Sequence, residues 1–174
     1  MTTILMIGIL LLLASPLRAD QIRTAGDYLQ IGIPAYAIGR AVGDRDHEGL
    51  RQMGNGFLTN TLTTGVLKET TLQLRPDGGD RRSFPSGHTS AAFQGAAFVH
   101  RRYGLEEAWP LYAGATFVGY SRVHARRHYW RDVIAGAAVG IGSSWLMTEP
   151  KKDYQLLVNS DGKSLQLSYH RRFD

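Results

Sequence analysis

Two apolar runs, Ala108 to Tyr120 and Val133 to Met147, are 13 and 15 residues long, and their length restricts the fold more than any other feature of the chain. A helix that crosses a bilayer needs ~20 consecutive apolar residues. These runs are too short for that and suit helices buried in a compact bundle. The remainder of the chain up to residue 150 has the same character. Tyr28 to Val42, YLQIGIPAYAIGRAV, is apolar and contains Pro34, which predicts a first helix that is kinked or begins late. His47 to Lys68 mixes polar and apolar residues at helical spacing, without strand-like alternation. Leu72 to Arg82, LQLRPDGGDRR, reads as a loop through Pro76, Gly78, Gly79 and the flanking charges. A further helix starts at Ser86 and ends near Gly104, with His100, Arg101 and Arg102 in its last turn, where the helix dipole favours cations.

After Pro150 the period changes to two. YQLLV and SLQLSY alternate apolar and polar residues on either side of Asn159-Ser160-Asp161-Gly162-Lys163, a hairpin pattern. A lone hairpin is marginal in water, so Leu156, Val158, Leu165 and Leu167, or their opposite faces, are expected against the helices. The expected fold class is mainly α: a compact helical bundle over residues 20–150, followed by a small C-terminal β-hairpin over residues 151–174.

The apolar run from Ile4 to Ala14, followed by Ser15-Pro16 and Leu17-Arg18-Ala19, reads as an export signal over residues 1–19. It predicts a periplasmic protein. Its removal leaves 19 basic and 15 acidic residues, a balance of +4 against +5 for the whole chain, so the basic character belongs to the folded part. A basic balance favours an anionic partner. The absence of cysteine excludes disulfides, a thiolate nucleophile and Cys-ligated zinc. His47-Glu48 begins like a zinc-protease helix, but Arg51 stands where the second histidine is needed. Gly136, Gly140 and Gly142 follow no strand and form no dinucleotide fingerprint, and suit close helix packing instead. Arg81, Arg82, Arg126, Arg127 and Arg131 lack the aromatic platform or binding module of a nucleic-acid site, so no nucleic acid is expected as a partner.

Three segments carry residue types that fit one task, holding and cleaving a phosphate without a metal. Lys68, on a helix, and Arg75, held out of helical geometry by Pro76, can reach one anion from separate directions. Pro85-Ser86-Gly87-His88 stands at a helix start: Ser86 can cap it, the backbone N–H groups there attract an anion, and Gly87 leaves them unobstructed. His128 and Asp132, four residues apart, are expected as neighbours on one helical face, so that the carboxylate can accept from one imidazole nitrogen and leave the other a lone pair. Arg122 would point away from His128 on a continuous helix, which predicts a break between them. Each segment has an ordinary reading by itself: two surface charges, a capped helix, a chance His and Asp. In combination they are far more specific.

Lys68-x6-Arg75-Pro76, Pro85-Ser86-Gly87-His88 and Ser121-Arg122-x5-His128-x3-Asp132, in this order, resemble the signature of the type 2 phosphatidic acid phosphatase and vanadium haloperoxidase superfamily. The resemblance spans residues 68–132 and implies a bundle of the phosphatidic acid phosphatase type 2 kind. It also implies that His128 attacks phosphorus and becomes a phosphohistidine, with Asp132 fixing its tautomer. Lys68, Arg75, Arg122, Ser86 and the Gly87 N–H would hold the phosphate oxygens, and His88 would protonate the leaving oxygen and then activate water. Neither a metal nor a cofactor is implied. Many members are integral membrane proteins with long spanning helices. Here a mean hydropathy of −0.21 and short apolar runs disfavour that form.

The activity expected is that of an exported, metal-independent phosphatase acting on a phosphomonoester or pyrophosphate, with a lipid at the outer face of the inner membrane as substrate and no protein partner. The rival readings are a soluble non-specific acid phosphatase, a vanadate-dependent haloperoxidase and a non-catalytic phosphate- or lipid-binding helical protein.

Overall fold

The computed structural model describes residues 19–151, 154–160 and 164–171, and for the C-terminal strands it describes the backbone. The expected export segment, apart from Ala19, and residues 161–163 of the expected hairpin turn lie outside the described residues. So do the side-chain contacts expected of Leu156, Val158, Leu165 and Leu167.

Among the described residues five helices follow one another: α1 (Ala19–Gly43), α2 (His47–Thr71), α3 (Gly87–Tyr103), α4 (Leu105–His124) and α5 (Trp130–Met147). Strand β1 (Tyr154–Ser160) pairs antiparallel with β2 (Leu165–Arg171), Tyr154 opposite Arg171 and Ser160 opposite Leu165. The helices are longer than their apolar runs. The runs are not buried all round, as was expected of core helices: Trp109, Tyr120, Ile134, Trp145 and Leu146 on them are exposed, and Leu105–Glu107 and Ser121–His124 extend α4 beyond its run. Pro34 does not delay α1, which runs through it. At that point α3 comes close: a Cβ on Gly95 would lie 3.0 Å from the Pro34 nitrogen, which carries no hydrogen to obstruct the approach.

Helix α3 packs against all four others and is the centre of the bundle. Its Ala92, Ala96, Ala97, Phe98 and Val99 are fully buried. The core they join is built from small side chains, with Ile33, Ala37 and Ala41 of α1 and Ala108, Ala115 and Val118 of α4, so the helix axes can approach closely. Gly136 and Gly140 serve the same end on α5. A Cβ on Gly136 would lie 2.5 Å from the Ser86 carbonyl oxygen, and one on Gly140 would collide with the Ser90 carbonyl. Gly142, expected to act likewise, faces open space.

The loop between α1 and α2 is locked by Asp46. Its carboxylate caps α2 through the Gly49 N–H (2.9 Å) and accepts two bonds from Arg102 of α3, at 2.8 and 2.6 Å, and one from the Tyr103 hydroxyl at 2.8 Å. Arg102 also donates to the Glu149 carbonyl beyond α5 at 3.0 Å. The Arg102 guanidinium, ahead of the opposing effect of burial, holds the Asp46 carboxyl far below the usual carboxylate range. Arg102→Ala would leave that carboxylate buried without its countercharge, and is expected to destabilise the bundle by about 3–5 kcal/mol in urea melts at neutral pH. Because the folded pKa of Asp46 is depressed, this stabilisation is complete above the unfolded value near ~4 and is lost as pH falls through the folded one. The gap between wild type and variant should therefore narrow in acid.

Candidate active site

Helix α2 ends at Thr71, with Leu72 in the left-handed region at φ 45°, and the chain turns into the loop that carries Arg75. Lys68 lies in the last turn of α2, where its Nζ donates to the carbonyls of Arg82 (2.9 Å) and Pro85 (2.5 Å). It thereby ties the loop to the start of α3. Burial, and after it the Arg75 guanidinium, push the Lys68 ammonium down to about 8. The side chain of Arg75 is 16% exposed and reaches Asp80 at 2.7 Å through Nε, while one terminal nitrogen lies 3.5 Å from His128 Nε2.

At the start of α3, Ser86 is fully buried, caps the helix and accepts from the Thr89 N–H (3.4 Å) and the Thr89 hydroxyl (2.9 Å). The Ser86 N–H donates to the Asp132 carbonyl at 2.9 Å, an approach made possible by Gly136 one turn further along α5. A Cβ at Gly87 would meet only the Lys68 Cε, 3.9 Å away, so no side chain crowds the start of α3 on that side. His88 follows in the first turn. Its proton affinity is lowered chiefly by burial and next by Arg122.

The break expected between Arg122 and His128 is present. Helix α4 ends at His124, Arg126 turns the chain with a φ of 54°, and the Arg122 carbonyl accepts the N–H groups of Arg127 (3.0 Å) and His128 (3.3 Å). The relation between His128 and Asp132 differs from the expectation. They do not share a helical face, because α5 begins at Trp130 and His128 sits in the bend before it. Asp132 instead reaches back to the Tyr129 N–H at 2.9 Å, as a residue in the first turn of a helix does. Its other bond is from the Ser83 hydroxyl at 2.5 Å, and the separation from His128 Nδ1 is 3.7 Å. The group that meets Nδ1 is the Ser83 carbonyl, at 2.8 Å.

That contact fixes the tautomer. A carbonyl oxygen only accepts, so Nδ1 carries the hydrogen and Nε2 presents a lone pair. Burial, reinforced by Arg75 and Lys68, pushes the His128 imidazole down to about 4, so the ring is neutral at ordinary pH. Nε2 thus stands as an unprotonated nitrogen beside a guanidinium. The site brings together all eight residues that the sequence singled out: Lys68, Arg75, Ser86, Gly87, His88, Arg122, His128 and Asp132. Two residues escaped the sequence reading. Ser83 contacts His128 through its carbonyl and Asp132 through its hydroxyl. Asp27 of α1 pairs with Arg122 at 2.7 Å and stands 3.5 Å from His88 Nε2. Ser83 could have been noticed as the neighbour of the Phe84-Pro85-Ser86-Gly87-His88 stretch, but no local signal marks Asp27.

Large apolar side chains are exposed on the same segments: Leu72 and Leu74 between Lys68 and Arg75, and Tyr129, Trp130 and Ile134 around His128 and Asp132. Among the described residues, no group of three or more His, Asp or Glu side chains could hold a metal ion, and no helix is long and apolar enough to cross a membrane.

The PAP2 superfamily model matches residues 77–153, a stretch that begins just after Arg75 and includes the serine, glycine, histidines, arginine and aspartate described above. The chain is 30% identical over 161 residues to a lipid A 4'-phosphatase of Helicobacter pylori, covering 82% of this chain and 81% of that protein. It is 49% identical over 72 residues to a lipid A 1-phosphatase of Porphyromonas gingivalis, a match that takes in 40% of this chain and spans 16% of that protein's length. Among solved structures, the transmembrane PAP2 type phosphatidylglycerolphosphate phosphatase of Bacillus subtilis superposes with a TM-score of 0.56 at 28% identity, over 74% of this chain and 72% of that one. LpxE of Aquifex aeolicus superposes with a TM-score of 0.55 at 22% identity, over 77% of this chain and 96% of that one, and so shares the fold.

Proposed function

The chain belongs to the PAP2 superfamily of phosphatases, and from that premise we propose that it hydrolyses the phosphate of a membrane lipid, without a metal, through a phosphohistidine on His128. The observation that carries this reading is the His128 ring, whose Nδ1 contact with the Ser83 carbonyl (2.8 Å) leaves Nε2 as a lone pair 3.5 Å from the Arg75 guanidinium. Phosphate oxygens gathered by Arg75, Lys68, Arg122 and the N–H groups at Gly87 bring phosphorus in front of that lone pair. Nε2 forms a bond to phosphorus as the bond to the leaving oxygen breaks, and His88 gives its proton to that oxygen. The positive charge that develops on the ring is met by the Ser83 carbonyl and the nearby Asp132 carboxylate. Water then attacks phosphorus, His88 takes its proton, the phosphorus–nitrogen bond breaks, and phosphate departs from a neutral His128.

A lipid is favoured as substrate by the exposed Leu72, Leu74, Tyr129, Trp130 and Ile134, which border the segments that hold the phosphate and offer apolar surface to acyl chains. The activities of the Helicobacter pylori and Porphyromonas gingivalis relatives, both lipid A phosphatases, favour a phosphorylated lipid of that class. Export to the periplasm and association with the outer face of the inner membrane belong to the same proposal, which rests there on the apolar run at Ile4 to Ala14.

The test compares kcat/KM of the full chain on lipid A and on phosphatidate in mixed micelles with that on p-nitrophenyl phosphate in the same detergent, with EDTA throughout. We expect the lipids to be preferred, activity to survive EDTA, and vanadate to inhibit as an analogue of the pentacoordinate transition state. Preference for the soluble ester would overturn the lipid assignment and favour a non-specific acid phosphatase. Loss in EDTA with rescue by a divalent ion would overturn the metal-independent chemistry.

A further inference from the structure

A carboxylate in a site that binds a phosphate dianion weakens binding, and so calls for an explanation. Asp27 is such a group. Its Oδ1 lies 2.7 Å from an Arg122 terminal nitrogen and 3.5 Å from His88 Nε2, so a single atom faces both a proposed phosphate-binding cation and the expected proton donor. Its placement is built into the packing of α1 on α4. The other terminal nitrogen of Arg122 donates to the Arg23 carbonyl at 2.8 Å. Any side chain at Gly26 would run into the Ser121 side chain, with Cβ at 2.7 Å, and into the Arg122 guanidinium at 2.9 Å. Glycine at that position therefore lets α1 sit directly on Ser121 and Arg122, and the next residue delivers the carboxylate.

We propose that Asp27 is a positioning residue for the proton donor, orienting His88 toward the leaving oxygen. The inference deepens the proposed phosphatase mechanism and rests on His88 being its acid. The charged groups that face His88 come from four elements: Arg122 on α4, Asp27 on α1, Arg75 on the loop and Lys68 on α2. Burial and the three cations all drive the proton off the ring, and Asp27 is the member of the set that retains it. Without Asp27 the site would bind an anion at least as well, but the histidine beside the leaving group would be short of the proton it must give. General acid catalysis is most effective when the donor's pKa lies near the working pH, which is the quantity that Asp27 adjusts.

The test uses Asp27→Asn, which keeps the shape and removes the charge, on a long-chain alkyl phosphate and on p-nitrophenyl phosphate. The alcohol needs a proton to leave, whereas the nitrophenolate does not. We expect kcat on the alkyl ester to fall roughly 10- to 100-fold, part of the 10²–10⁴ that a general acid supplies, with a much smaller change on the nitrophenyl ester and no rise in KM. The alkaline limb of kcat should move to lower pH, because removing the carboxylate lowers the pKa of His88 and the protonated form is the active one. In a His88→Ala background the Asp27→Asn effect should vanish, and Asp27→Glu should restore part of the loss. Equal losses on both esters, a rise in KM alone, or an undiminished effect in the His88→Ala background would overturn the proposal. If Asp27→Asn fails to fold, Asp27→Glu is read by the same ratio of esters, and an equal loss on both overturns it too. His88→Ala alone separates the two failures. If it shows no dependence on leaving group in the first half-reaction and no burst of nitrophenol, the reading of His88 as the acid falls and this inference with it. If it does and Asp27→Asn does not, the inference alone falls.

Discussion

His128→Ala is expected to reduce turnover by roughly 10⁴-fold or more, as removal of a nucleophile or of the base that activates it does in other covalent catalysts. The expectation follows from the state of the ring. Buried to 3% exposure, pushed down to about 4, and held with its Nδ1 hydrogen on the Ser83 carbonyl, His128 presents a neutral Nε2 that alanine cannot replace. The cations would still gather the phosphate, so KM should change far less than kcat. The variant leaves the Ser83 carbonyl without its buried donor, at a cost of about 1–3 kcal/mol, which the bundle should survive. The measurement is the initial rate on the lipid substrate with thermal melts alongside. Alkaline quenching of the wild type with radiolabelled substrate should trap one acid-labile phosphoenzyme that the variant lacks. Substantial turnover in His128→Ala would sink the covalent mechanism.

His88→Ala is expected to lower kcat by ~10²–10⁴-fold on an alkyl or lipid phosphate, the usual contribution of a positioned general acid. On p-nitrophenyl phosphate the loss should be much smaller in the first half-reaction, because nitrophenolate leaves without a proton. A burst of nitrophenol followed by slow turnover should appear, since the same histidine is needed to activate water on the phosphoenzyme. Burial and Arg122 lower the His88 pKa from the ordinary histidine value, so its protonated form declines as pH rises through a point below 6.5 in the empty site. The alkaline limb of kcat/KM should therefore lie on the acid side of neutrality and be absent from the variant. Equal losses on both esters, with no burst, would mean that His88 binds phosphate and donates nothing.

The residues proposed to handle phosphate were legible in the sequence because the features that single them out are local to the backbone. A proline after Arg75, a serine and glycine at a helix start before His88, and a break between Arg122 and His128 each follow from neighbouring residues. The apolar runs likewise located α4 and α5 but understated their extent, because polar and charged residues at the helix ends add nothing to a hydrophobic run, and their length did not reveal that Trp109, Ile134 and Leu146 are exposed.

What the order of residues could not decide was which side chain answers which. A spacing of four suggested that Asp132 would accept from His128. Yet a residue in the first turn of a helix has unsatisfied N–H groups beside it, and Asp132 turns to Tyr129 and Ser83 instead. Nδ1 of His128 then finds a carbonyl 45 residues away, and Arg122 finds a carboxylate 95 residues away. The sequence by itself located the helices and singled out the candidate cations and histidines, since periodicity and helix ends are properties of contiguous chain. Only the tertiary structure decided the tautomer of His128 and the presence of Asp27 beside His88. Both depend on the seating of one helix or loop on another to within an ångström, and that seating is set by contacts such as Gly26 on Ser121 and Gly136 on Ser86, which no spacing in the sequence encodes.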